Sequence, residues 1–136
     1  MKKDIEGRED LERLLENFYS VAIKDDKISH FFTDVVQLNL TTHLPVIVDF
    51  WEKVLFGTPI YQGNPLLVHQ KLHEKSPLLK EHFDRWVEIF VGTIDNLFVG
   101  KLADAAKNRA HIIAQSLFRR LDENNFGVTL IKSPNE

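Results

Sequence analysis

The sequence predicts an all-α fold in a single domain, and three observations carry that prediction. Apolar residues recur at helical spacing along nearly the whole chain. No pair of segments alternates in the manner of paired strands, and the breaks in periodicity fall at cap and breaker residues such as Gly57, Pro59 and Gly100. A length of 136 residues supports one core and is too short for two ordinary ones.

Leu11, Leu14, Leu15, Phe18, Val21 and Ala22 place a first helix from about Glu9 to about Lys24. A loop containing Asp25-Asp26-Lys27 then leads to Phe31-Phe32, in a short turn of helix. Thr41 or Thr42 is expected to cap a second helix, because Pro45 is best tolerated in a first turn. Ile47, Phe50, Trp51, Val54 and Leu55 form its apolar side, Gly57 and Pro59 end it, and His43 falls near its start. The stretch from Gly57 to Pro65 reads as an irregular loop delivering the chain to a short segment with His69. Ser76-Pro77 suits the start of a long helix through Phe83, Trp86, Val87, Phe90, Val91, Ile94 and Phe98, ending near Gly100. A last helix carries Ala106, Ala110, Ile113, Ala114, Leu117 and Leu121 on one face. One domain over 1–126 is expected, with 127–136 a loose tail that has little to bury.

Hydrophobic residues make up 43% and charged residues 27% of the chain, which favours a folded globule over a disordered or fibrous chain. The net charge of −3 is scattered and forms no basic stripe, so nucleic acid is not an expected partner. No run is long and apolar enough to span a bilayer, and Met1-Lys2-Lys3-Asp4-Ile5-Glu6 does not open a signal peptide; a cytoplasmic protein is expected. With no cysteine there is no disulfide, thiolate metal site, iron–sulfur cluster or Cys-x-x-Cys-His cofactor attachment. Any metal is therefore held by histidine, carboxylate or a bound cofactor.

Six histidines make a metal worth testing. His69 and His73 are four residues apart and would share a helical face, which could grip zinc or non-haem iron. No Glu-x-x-His pair or His-Glu-x-x-His motif accompanies them, and no third ligand is evident: Glu74 adjoins His73 on another face, and His82 belongs to the next helix. A different alternative is a helical protein without a cofactor, whose aromatic and histidine side chains serve packing or partner binding.

Gly63-Asn64-Pro65-Leu66-Leu67-Val68-His69-Gln70-Lys71-Leu72, then Pro77-Leu78 and Glu81-His82-Phe83-Asp84-Arg85-Trp86, resemble the proximal region of the third (P) group of truncated haemoglobins. Phe18-Tyr19, Phe31-Phe32, His43-Leu44-Pro45-Val46, Asp49-Phe50-Trp51 and Leu55-Phe56-Gly57 match the same family in order and spacing, over roughly residues 9 to 122. The glycine-pair motifs of the other groups are missing, in agreement with the third.

The resemblance implies a truncated globin-like, two-over-two helical sandwich around a noncovalent haem b. It implies His69 as the proximal iron ligand, with His73 as the rival within reach of the same turn. It puts the Tyr19 hydroxyl and the Trp86 indole N–H on the distal side, His43 as a distal-helix gate, and Phe32 against the porphyrin, with Phe31 as the one-residue alternative. The implied function is binding of dioxygen, nitric oxide, carbon monoxide or similar ligands, with nitric oxide dioxygenation or peroxide reduction as redox uses. No Gly-x-Gly-x-x-Gly fingerprint occurs, so sustained turnover would need an external reductase. The partners of the haem propionates stay open.

Overall fold

Helices dominate the computed structural model, which describes residues 1–35 and 39–135, with side chains through residue 122. The elements are α1 (Arg8–Ala22), a π-helical turn (Phe31–Val35), α2 (Leu40–Phe56), α3 (Pro65–Lys75), α4 (Lys80–Leu97) and α5 (Lys101–Asn135). Helix α1 packs on α2 and α4, and α4 packs on α5, so two helix pairs lie one over the other in the expected truncated globin-like sandwich. Among the described residues no helix is long and apolar enough to cross a membrane. The expected tail, 127–136, lies beyond the described side chains.

The apolar stripes read from the sequence are the surfaces buried. Leu11, Leu14, Leu15, Phe18 and Ala22 of α1 meet Phe90 and Ile94 of α4 and Val48 and Trp51 of α2 in one core. Ala103, Ala106, Ala110 and Ala114 present a row of small side chains on α5, which lets α4 approach closely. Arg8 ties α1 to α2 through Asp49 at 2.7 Å and Glu52 at 3.1 Å.

Two helix starts differ from the sequence expectation. Asn39, rather than Thr41 or Thr42, caps α2: its side chain accepts the Thr41 N–H at 3.0 Å. Pro45 therefore sits in the second turn, inside the helix, where it leaves the Thr41 carbonyl without its ordinary donor. Ser76 closes α3 instead of opening α4, giving its N–H to the Leu72 carbonyl at 3.0 Å. The chain stays non-helical through Pro77 and Leu78, Leu78 enters the core, and α4 begins at Lys80.

The start of α5 is capped from the other end of the chain. Gly100 holds the cap position and has no side chain, and the Asp4 carboxylate accepts the Leu102 and Ala103 N–H groups at 2.9 and 2.8 Å. These are the second and third helical N–H groups, the two that a cap side chain serves. A Cβ on Gly100, whose φ is +148°, would collide with that carboxylate. Burial raises the Asp4 pKa, but the backbone donors Leu102, Ala103, Ile5 and Lys101 outweigh it and hold it below 3.8. The unfolded chain thus binds more protons between the two values, so this stabilisation is full above about pH 3.8 and is lost as pH falls through the folded value. Asp4→Ala is expected to cost about 1 kcal/mol in urea unfolding at pH 7, the usual worth of a cap. The difference from the unsubstituted chain should shrink in acid; a constant difference down to pH 3 would show that the carboxylate charge is not what caps α5.

Candidate functional site

Helix α3 presents His69 in a defined tautomer. Asn64 caps the helix by accepting the Leu67 N–H at 3.1 Å, and Pro65 fills the first helical position, where its missing N–H costs nothing. One turn on, His69 Nδ1 lies 2.7 Å from the Pro65 carbonyl oxygen. A carbonyl only accepts, so Nδ1 carries the proton and the Nε2 lone pair is left for another partner. Burial lowers the His69 pKa, the Pro65 bond raises it, and His43 lowers it again, for a net shift below 6.5. The imidazole is therefore neutral at pH 7, as a metal ligand must be.

His73 and His82 are committed the other way. Leu78 gives its N–H to His73 Nδ1 at 2.8 Å, and Leu79 gives its N–H to His82 Nδ1 at 2.9 Å. In each neutral ring the proton is then on Nε2, so neither nitrogen offers a lone pair to a metal. His73 instead pins the turn that carries Leu78 into the core. Among the described residues no three His, Asp or Glu side chains are grouped to hold a metal, so a purely protein-ligated zinc centre on His69 and His73 finds no support.

The remaining candidates fall into two groups. Tyr19, Phe32 and Trp86 form an aromatic set: Phe32 meets Tyr19 edge-on at 5.7 Å, and Phe18 joins Tyr19 at 5.0 Å to Trp86 at 5.8 Å. His43 and His69 form the other, near enough that His43 opposes protonation of His69. The π-helical turn links the groups, since it carries Phe32 and packs against α3. Phe31 turns elsewhere, onto His30 at 4.0 Å and His82 at 4.9 Å, which separates the two phenylalanines that the sequence left interchangeable.

Tyr19 is only 6% exposed; among the described residues its hydroxyl makes no protein hydrogen bond and is not sealed from accessible space. Burial pushes its pKa up, so the phenol keeps its proton and stays a donor. Burial also lowers the His43 pKa, favouring the neutral ring.

An iron-bearing porphyrin, which the sequence resemblance implies, can be tested against these surroundings. Helix α3 bears Leu66, Leu67, Val68 and Leu72, and the protein buries none of them. In α2 only Val48 and Trp51 are buried, while Leu44 and Ile47 are partly covered and Val46 is exposed. Among the described residues α2 and α3 do not pack on each other, although His43 and His69 are in electrostatic reach. One neutral imidazole with a free Nε2, a partnerless phenol donor and two helices with uncovered apolar side chains suit a flat, apolar group carrying a metal. The residues fit it.

Sequence reasoning missed several supports of this site. Phe18 bridges Tyr19 to Trp86, and Arg85 grips Asp25 at 2.7–2.8 Å, tying α4 to the loop before the π-helical turn. Burial and the Lys27 N–H accompany that pair, and the Asp25 pKa is lowered chiefly by Arg85. Periodicity does not reveal an ion pair spanning 60 residues.

The chain is 26% identical over 117 residues to a group 3 truncated haemoglobin of Campylobacter jejuni, covering 84% of this chain and 90% of that one. It is 30% identical over 86 residues to a group 1 truncated haemoglobin of Synechocystis, covering 62% and 67%. The crystal structure of group III truncated haemoglobin from Campylobacter jejuni superposes with a TM-score of 0.79 at 25% identity, over 89% of this chain and 95% of that one. The bacterial-like globin family matches residues 3–119, and with the helical sandwich and the His69 surroundings in place, the chain belongs to that family.

Proposed function

We propose that this globin binds haem b noncovalently through His69 Nε2 and holds dioxygen or another diatomic ligand beside Tyr19. The carrying observation is the tautomer: the 2.7 Å bond from His69 Nδ1 to the Pro65 carbonyl leaves a neutral imidazole with one free lone pair. The haem would supply an iron centre that takes up a diatomic ligand. The protein's part is to hold the imidazole in orientation, to cover the porphyrin faces with Phe32 and the apolar side chains of α2 and α3, and to exclude water. Tyr19 donates a hydrogen bond to the negative end of the ligand, in a low dielectric that strengthens it. In this reading the Trp86 N–H is a second donor, and His43 is the residue assigned to gating ligand entry. Nitric oxide dioxygenation or peroxide reduction would use the same pocket with an external reductant.

Absorption spectra of the purified protein in ferric, reduced and carbon-monoxide-bound forms test the reading. A Soret band that shifts with each treatment is the expected result. Its absence after haem reconstitution would return the protein to a helical binding role. Acid should release the haem, because protonating His69 removes the lone pair: retention is expected at neutral pH and progressive loss below 6.5.

A further inference from the structure

An unbroken series of ring contacts leaves the aromatic set at Trp86 and ends in the loop after α2. Trp86 stacks on Phe90 at 5.1 Å with planes 9° apart, and Phe90 stacks on Trp51 at 4.8 Å and 23°. Trp51 meets Phe50 edge-on at 5.6 Å, and Phe50 meets Tyr61 at 5.3 Å. The order of residue types exceeds what packing asks for. Indole, indole and phenol, the side chains that yield an electron most readily, are each separated by one phenyl ring. Trp51 is buried, whereas Tyr61 is half-buried in the irregular loop, its ring lying where a Cβ on Gly63 would stand. Burial pushes the Tyr61 pKa up, so at neutral pH it is a phenol with a proton to lose.

We infer that Trp86, Phe90, Trp51, Phe50 and Tyr61 form an electron relay, through which a one-electron donor at the Tyr61 surface serves hydroperoxide reduction in the haem pocket. The inference rests on the proposed haem site. A hydroperoxide ROOH accepts two electrons and two protons, its O–O bond breaks, and ROH and water leave. Each electron is drawn from Trp86, refilled from Trp51 across Phe90, and refilled in turn from Tyr61 across Phe50. Tyr61 loses its phenolic proton to solvent and becomes a neutral radical. A soluble hydrogen-atom donor of the phenol or ascorbate class restores it, and two such passes balance one hydroperoxide. The relay would give a globin without a nicotinamide or flavin motif a defined port for reducing equivalents, away from the ligand pocket.

The test treats the haem-loaded full chain with stoichiometric hydrogen peroxide and a nitroso spin trap, and maps adducts by peptide mass spectrometry. Rapid-freeze electron paramagnetic resonance is run in parallel, and the haem-free protein serves as control. An adduct on Tyr61 that needs haem, and that disappears in Trp51→Phe although Tyr61 remains, is the expected result. An unmodified Tyr61 in the unsubstituted protein, or an adduct that survives Trp51→Phe, overturns the relay. Should Trp51→Phe fail to fold, the unsubstituted protein together with Tyr61→Phe decides: the tyrosyl signal must be lost in Tyr61→Phe. The Soret band separates the two failures. No band removes haem binding and relay together, while a normal band without a Tyr61 radical removes the relay alone.

Discussion

His69→Ala is expected to abolish stable haem binding, while His73→Ala keeps the Soret band and loses folding stability. The two residues lie one turn apart on α3, and their hydrogen bonds run in opposite senses. His69 donates through Nδ1 to Pro65, which frees Nε2; His73 accepts through Nδ1 from Leu78, which places the proton on Nε2. Removing His69 takes away the metal ligand and leaves a short helix with no buried side chain of its own. Removing His73 strips the acceptor from a backbone N–H on the buried Leu78, at a cost of about 1–3 kcal/mol. Absorption spectra and urea unfolding separate the outcomes, and free imidazole added to His69→Ala should restore part of the band. If His69→Ala kept the normal spectrum, the ligand assignment would be wrong.

The sign of the pH effect follows from the same ring. Its folded pKa is below 6.5, so between the two values the unfolded chain binds more protons than the folded one. Stability without haem therefore falls as pH drops through that window, in the same direction as haem retention. Burial and His43 both act against the charged form, so His43→Ala, which removes one of the two, is expected to let His69 protonate sooner and to move acid release of haem to higher pH.

What could be read in advance follows the distance over which each feature is determined. Helix faces are local: Leu11, Leu14, Leu15 and Phe18 announce α1 by spacing alone, and they are the residues buried. Helix starts are less legible, because several polar residues can cap. Asn39 precedes Thr41 and Thr42 and forms the cap first; Ser76 looks like an N-cap until Leu78 claims a place in the core. Nothing near Gly100 in the chain points to Asp4, whose partners Leu102 and Ala103 are 98 and 99 residues away. A short helical turn at Phe31-Phe32 is legible in the sequence, but its π-helical form is not, and the structure is what sends Phe31 to His82 and Phe32 to Tyr19. The histidines show the limit most directly. Spacing alone makes His69 and His73 equivalent; the resemblance prefers His69, and the direction of one hydrogen bond each supplies a physical reason.

Tyr19→Phe is expected to speed dioxygen release by about tenfold to a hundredfold, since a hydrogen bond to a charged acceptor is worth roughly 1.5–3 kcal/mol. The substitution keeps the ring, so the edge contacts with Phe18 and Phe32 survive. It removes a hydroxyl that, among the described residues, makes no protein hydrogen bond, so folding stability should hardly change. That combination distinguishes a ligand-binding role from a packing role: a core tyrosine that only packs would leave release unchanged. Stopped-flow displacement of dioxygen by carbon monoxide gives the rate, and urea unfolding gives the control. Trp86 is the second donor and could compensate for the lost hydroxyl, so Trp86→Phe belongs beside it. An unchanged rate in Tyr19→Phe with a faster one in Trp86→Phe would move the distal bond to the indole; additive accelerations would show that both donors engage the ligand.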